Sequence, residues 1–245
     1  MDLALHPGEV ALVGGGPGDP DLLTRAAWRV LEQADVILHD RLGPVSVLDE
    51  LPQGPELIPV GKVPRGRSTP QSRINELLVE HARAGRRVVR LKGGDAFVFG
   101  RGGEEWLACA EAGVKVRVIP GVTSAVAVPE LAGVPVTHRG VVQGFTVVSG
   151  HVPPSDERST VDWRALARAN TTLVLLMAVK YLPEIAEELM AGGLPPETPV
   201  AAVVEGSLPT QAEHRSTLAE VARLVERVAP PTVIVVGQVA GLELE

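Results

Sequence analysis

Short β-branched runs alternate with longer amphipathic stretches along nearly the whole chain. No other feature narrows the possible folds as much. Val10–Val13 is an apolar run ending at glycines, and Pro20–Gln33 then places Leu22, Leu23, Ala26, Ala27, Val30 and Leu31 on one helical face. Strand-like runs recur at Val36–Leu38, Glu56–Val60, Arg87–Leu91 and Val116–Ile119. Helical patterns fill Pro70–Ala84, Glu104–Ala112 and Thr123–Leu131, with Thr69 expected to cap the first and Gly85 to stop it. After the turn-rich stretch Ala132–Gly140, strands are expected at Phe145–Ser149, Thr172–Met177, Val200–Val204 and Thr232–Val236. Helices are expected at Asp162–Ala169, Tyr181–Ala191 and Thr217–Arg227. Strands alternating with helices predict an α/β fold. We expect two domains, residues 1–130 and 131–245.

Composition excludes several functions. Apolar residues make up 45% of the 245 residues, enough for a sizeable core, but aromatics are only 3%, so Leu, Val and Ala must build it. The net charge of −7 argues against a general nucleic-acid binder, which needs excess Lys and Arg to meet phosphates. The single cysteine, Cys109, rules out an intrachain disulfide. The longest apolar stretches, such as Leu173–Val179, fall far short of the roughly 20 residues that span a bilayer. The N-terminus carries no basic-then-apolar signal pattern, so the expected location is cytoplasmic, with no membrane partner. The histidines are scattered without metal-ligand spacing, and neither G-x-S-x-G nor H-E-x-x-H occurs. No metal is expected.

Two glycine-rich segments carry the chemistry. Gly14-Gly15-Gly16-Pro17-Gly18-Asp19-Pro20 links a strand to a helix, but Asp19 replaces the last glycine of the dinucleotide fingerprint. The segment reads equally as a tight turn or as a ligand loop. Lys92 to Glu105 is the more unusual stretch: it follows a buried strand, so it lies at the sheet edge where open α/β sheets bind ligands. Its glycines let a ligand approach the backbone, Asp95 has the oxygens to accept hydrogen bonds from ribose hydroxyls or an amino group, and Phe97 and Phe99 stand together in the loop. Asp40, just past the second strand, and Lys62 offer a carboxylate and an ammonium for acid–base work, and Arg65 and Arg67 offer partners for carboxylates. For each, a turn or a solvated loop is the alternative. His138 and His151 read as loop or capping residues.

Val13 to Thr24 resembles the opening signature of the tetrapyrrole methylases, and Arg90 to Glu105 resembles their second signature. Ala34 to Leu42, Val60-Gly61-Lys62, Pro120 to Ala125, Gly133 to Gly140 and Val148 to His151 extend the match, in order, over nearly the whole chain. The second signature and Thr137-His138-Arg139-Gly140 take the form seen in the branch acting on uroporphyrinogen III. Gly15 stands where the family commonly has Ala, Ala96 where it has Pro, Ser149 where it has Thr, and Leu42-Gly43-Pro44 where it has Leu-Val-Ser.

The resemblance implies a two-domain tetrapyrrole methylase fold, each domain an α/β/α sandwich with a mixed sheet. It implies S-adenosylmethionine bound in the cleft between domains, usually in a homodimer. The reaction implied is two successive ring-carbon methylations that turn uroporphyrinogen III into precorrin-2, with S-adenosylhomocysteine as co-product. By position, Pro17, Gly93, Gly94, Asp95, Val98, Thr123, Ser124, Met177 and Gly206 look like cofactor contacts, Asp40 like the proton acceptor and Lys62 like the proton donor. The substrate is a polycarboxylate, so a −7 chain must meet it with local cations: Arg41, Arg65, Arg67, Arg101 and Arg139 are the candidates. Competing readings are a methylase of a later precorrin, an rRNA ribose methyltransferase on the same fold, and a non-catalytic nucleotide-binding module.

Overall fold

A computed structural model describes residues 3–52, 54–61 and 69–244. The chain forms two compact units, Met1–Thr123 and Ser124–Glu245.

In the first unit, β1 (Glu9–Gly14) lies between β4 (Val88–Lys92) and β5 (Lys115–Ile119), and β2 (Val36–His39) lies between β4 and β3 (Glu56–Pro59). Every pairing is parallel. The expected mixed sheet is therefore corrected for this unit. Each strand is followed by a crossover that returns the chain to the same end of the sheet, and only parallel neighbours result. Helices cover both faces, so the inner strands β1 and β2 read as nearly unbroken apolar runs. Val13, Ile37, Val89 and Leu91 pack with Ala27, Val30 and Leu31 of α1 (Arg25–Leu31). On the opposite face Leu12, Leu38 and Val88 meet Ile74, Leu78 and Ala82 of α2 (Gln71–Arg83) and Cys109 of α3 (Gly102–Glu111).

Local chemistry sets the helix starts. The expected helix Pro20–Gln33 is broken in two: a 3₁₀ turn at Pro20–Leu22 is capped by Asp19, whose carboxylate accepts from Asp21 N. Thr24 then restarts the chain as N-cap of α1, its Oγ1 accepting from Ala27 N at 3.1 Å. At α2 the cap position falls to Pro70 rather than to Thr69, with no side-chain cap bond.

The second unit carries α4 (Ser124–Leu131), β6 (Phe145–Ser149), α5 (Trp163–Ala167), β7 (Thr172–Leu176), α6 (Leu182–Gly192), β8 (Pro199–Val204), β9 (Ala212–Thr217), α7 (Val221–Leu224) and β10 (Thr232–Val236). Its sheet is mixed, in the order β6-β7-β10-β8-β9: β6 runs parallel to β7, whereas β10 is antiparallel to both β7 and β8. One face packs on Leu182, Ile185 and Leu189 of α6, the other on Ala125 and Val128 of α4. Because α4 packs this way, the chain divides at 123/124 rather than at 130/131. Strand β9, which pairs with β8, occupies residues not expected to be a strand, and the helix expected at Thr217–Arg227 contracts to α7. Among the described residues no helix is long and apolar enough to cross a membrane.

Candidate active site

The loops after β1, β2, β4 and β5 converge at the C-terminal edge of the parallel sheet. Gly15 N donates to Lys92 O at 2.8 Å, and Gly16 and Gly94 exchange main-chain bonds of 3.1 and 2.6 Å. The two glycine-rich segments are thereby sewn together. Gly16 and Gly94 take φ values of 79° and 64°, which glycine adopts without a steric cost. A Cβ on Gly14 would lie 2.8 Å from the Gly94 carbonyl oxygen, and one on Gly93 would lie 2.8 Å from the Leu42 carbonyl oxygen. Pro17 sits in this edge, half-buried. Asp95 accepts from Phe97 N at 2.9 Å through Oδ1 and from Gly121 N at 3.1 Å through Oδ2. Its carboxylate shapes the loop in addition to whatever it offers a ligand.

Beyond Asp95 the loop is strained and apolar. Phe99 and Arg101 have φ of 53° and 58°, a region costing about 1 kcal/mol or more for a residue with a side chain. Phe97, Val98 and Phe99 are exposed, Phe97 by 55%, with its ring edge-on to Trp106 at 6.4 Å. Arg101 is engaged with Glu104 through two bonds of 2.8 and 2.7 Å.

Asp40 follows β2 directly. Leu38 pairs in register with Arg90 of the adjacent β4, so the guanidinium reaches the carboxylate past the strand end. Arg90 Nη2 donates to Asp40 Oδ1 at 2.7 Å, and Nε donates to Glu105 Oε1 at 3.0 Å. Lys92, two residues along the same strand face, donates to both oxygens of Glu105 at 3.0 and 2.9 Å. Glu105 is wholly buried and Arg90 is 2% exposed. Burial opposes the charge on Arg90, but the carboxylates of Glu105 and Asp40 outweigh it and raise its pKa above the usual value. Lys92 goes the other way: burial, then the charge of Arg90, holds it below the usual lysine range. Burial, with the Glu105 charge adding, pushes the Cys109 thiol up to about 11, so it stays protonated and unreactive.

This buried network was missed from sequence, where Arg90, Lys92 and Glu105 received no individual role. The signal was there: two cations at alternate positions of a strand buried on both faces require a buried anion.

The second unit builds its own edge. β6, β7 and β8 run in one direction, so their C-terminal ends lie together. Met177, just past β7, is 53% exposed at φ 56°. Glu205 and Ser207 flank Gly206 with φ of 48° and 73°. A Cβ on Gly206 would lie 2.7 Å from Val128 Cγ2. Ser149 Oγ and His151 Nδ1 are 2.8 Å apart. Three left-handed residues with side chains at one sheet edge mark a backbone shaped for something other than stability. Thr123 ends the first unit and Ser124 opens α4 in the second. Arg41 is exposed beside Asp40, and Arg139 is exposed on the turn closed by the His138–Val142 bridge. Lys62, Arg65 and Arg67 lie outside the described residues.

The tetrapyrrole (corrin/porphyrin) methylase family model matches residues 9–222. The chain belongs to this family. The S-adenosyl-L-methionine-dependent uroporphyrinogen III methyltransferase of Methanosarcina barkeri is 47% identical over 237 residues, covering 96% of this chain and 93% of that protein. The siroheme synthase of Methylobacillus flagellatus is 46% identical over 240 residues, covering 97% of this chain and 51% of the synthase, so this methylase spans about half of such synthases. A uroporphyrin-III C-methyltransferase from Thermus thermophilus, solved with S-adenosylhomocysteine, superposes with a TM-score of 0.81 at 44% identity, covering 95% of this chain and 99% of that one. A cobalt precorrin-4 methyltransferase superposes at 0.84 with 23% identity, a likeness of fold.

The residues fit the donor that these relatives use. Within the first unit, the exposed apolar side chain of Val98 follows the Gly93-Gly94-Asp95 turn and offers a surface of the kind an adenosyl group uses. The half-buried main chain at Gly93-Gly94 carries no side chain to block approach. Among the described residues no cluster of His, Cys, Asp or Glu is placed to hold a metal ion.

Proposed function

We propose that this tetrapyrrole methylase is an S-adenosylmethionine-dependent C-methyltransferase. It methylates two ring carbons of uroporphyrinogen III, giving precorrin-2 and S-adenosylhomocysteine for sirohaem or cobalamin synthesis. The observation that carries this reading is the 47% identity to a uroporphyrinogen III methyltransferase over 93% of its length. The cofactor supplies an activated methyl group on a sulfonium.

The chain's part is alignment and proton handling. Pro17, Gly93, Gly94, Asp95, Val98, Thr123, Ser124, Met177 and Gly206 are the residues assigned to the cofactor. Asp40 takes the proton that the macrocycle loses. Arg90 holds its Oδ1, so Oδ2 is the accepting oxygen. Lys62 is assigned as the proton donor for tautomer shifts of the macrocycle, which leave unchanged the one proton released per methyl transferred. Arg41, Arg65, Arg67, Arg101 and Arg139 meet substrate carboxylates. The enzyme works in the cytoplasm as a homodimer, without nucleic-acid or membrane partners.

The test is anaerobic incubation with uroporphyrinogen III and S-adenosylmethionine, read by tetrapyrrole mass. A gain of two methyl groups, lost in Asp40→Ala, is the expected result. No gain while the cofactor still binds overturns the substrate and points to a later precorrin.

A further inference from the structure

The chemistry above leaves a fully buried carboxylate, Glu105, without a role. It projects from α3 into a face otherwise built from Leu12, Leu38, Leu78 and Cys109. It accepts from Arg90 Nε, from Lys92 Nζ and, at 3.2 Å, from Gln71 Nε2. A guanidinium is planar and rigid, so fixing Nε fixes the direction of Nη2. Arg90 Nη1 is held in the same plane by the Leu91 carbonyl at 3.1 Å. The free end of this fork is the 2.7 Å bond to Asp40 Oδ1.

We propose that Glu105 is the positioning residue for Asp40, acting through Arg90: it aims the guanidinium at Oδ1 and so fixes which carboxylate oxygen is left for the substrate. Lys92 has the separate task of balancing charge, since two buried cations then face two carboxylates. For stability alone such a cluster gains little over apolar packing, because desolvation offsets the attraction. The proposal rests on Asp40 being the proton acceptor.

Glu105→Gln keeps the shape of the side chain and removes its charge. The expected result is a fall in kcat of about 10-fold or more, in line with the cost of misplacing a reacting group, while KM for S-adenosylmethionine stays within about 2-fold. In an Asp40→Asn background the same substitution is expected to change kcat little further, because the group it positions is gone. An unchanged kcat, or equal losses in both backgrounds, overturns the proposal. If Glu105→Gln does not fold, the charge-balanced pair Glu105→Gln/Lys92→Met replaces it in the same cycle. A measurement without turnover separates this proposal from the functional reading: the 13Cγ resonance of Asp40 in the ligand-free protein. It is expected to move in the charge-balanced pair even if uroporphyrinogen III is not the substrate. A resonance that stays in place overturns the tether.

Discussion

Gly15 and Pro44 fit one another: a Cβ added to Gly15 would lie 2.6 Å from Cδ of Pro44. Both positions depart from the pattern the chain otherwise resembles, which has Ala at the first and Ser at the second. The two departures are therefore one. The proline ring fills the space that the alanine methyl would need, and it packs the loop after β2 onto the loop after β1. Gly15→Ala is expected to cost about 1–3 kcal/mol as overpacking. Gly15→Ala/Pro44→Ser is expected to recover at least half of it. The remainder is the 3.0 Å approach to Leu91 Cδ1 and the 3.1 Å approach to the Lys92 carbonyl, which its bond from Gly15 N holds in place. Urea unfolding of the three variants measures this; additive losses would refute the coupling.

Asp35 fastens the start of β2 to β4 through three bonds from Arg87, at 2.7 Å from its main-chain N, 3.1 Å from Nε and 2.6 Å from Nη2. The Arg87 side-chain hydrogen bonds, against burial, hold the Asp35 carboxyl below its ordinary pKa. A carboxylate lowered in the folded state adds stability above its unfolded pKa and loses it as pH falls through the folded value. Both side chains are about a third exposed, so solvent screening limits the gain. Asp35→Asn is expected to cost about 1 kcal/mol at neutral pH. The difference from the unsubstituted chain should begin to shrink near about pH 4, the unfolded value, and close only as pH falls through the lower folded value, where both side chains are neutral. Unfolding curves at several pH values check this; a gap independent of pH would refute it.

The same contrast between buried and exposed groups explains what could be read from sequence. β7 and β10 are apolar at every position after an opening threonine and buried throughout, so their pattern alone marks them as strands. β9 is Ala-Glu-His-Arg-Ser-Thr at the sheet edge, and its sequence shows neither an apolar run nor alternation because main-chain bonds to β8 hold it. Whether a strand pairs parallel or antiparallel depends on where its crossover returns, which local pattern does not record; the mixed sheet expected in the first unit comes from the resemblance, and the pattern holds nothing to correct it. Asp40 drew notice from its place after a strand and from resemblance. Its connection to Glu105 could not be seen, because it runs through Arg90 across two strands and a helix.

Gly206 and Val128 make a second steric pair, within the second unit. A Cβ on Gly206 would press on the valine branches, with Cγ2 at 2.7 Å. Gly206→Ala is expected to destabilise by about 1–3 kcal/mol through that overlap. If Gly206 also contacts the cofactor, the variant should bind S-adenosylmethionine more weakly. Val128→Ala/Gly206→Ala separates the two effects. Removing the branches relieves the overlap and restores much of the stability, less the cost of the lost valine methyls. A binding defect that persists in the double variant assigns Gly206 to the cofactor. A defect that disappears assigns it to packing alone.

Arg101 can serve a substrate carboxylate only by leaving Glu104, to which it is bonded at both ends of its fork. The two side chains are more than half exposed, and an exposed ion pair is worth about 1 kcal/mol at most. The cost of release is correspondingly small. Glu104→Gln removes it, leaving the guanidinium without a competing carboxylate. KM for uroporphyrinogen III is then expected to fall, by no more than about 5-fold, the equivalent of 1 kcal/mol. KM for S-adenosylmethionine should not move. Arg101→Ala is expected to raise KM for the tetrapyrrole, and in that background Glu104→Gln should have no benefit. Steady-state kinetics on the three variants at low ionic strength, where surface charges are least screened, measures all of this. Should Glu104→Gln improve the tetrapyrrole KM equally with and without Arg101, the gain comes from removing a negative charge near a polycarboxylate, and Arg101 is not its partner.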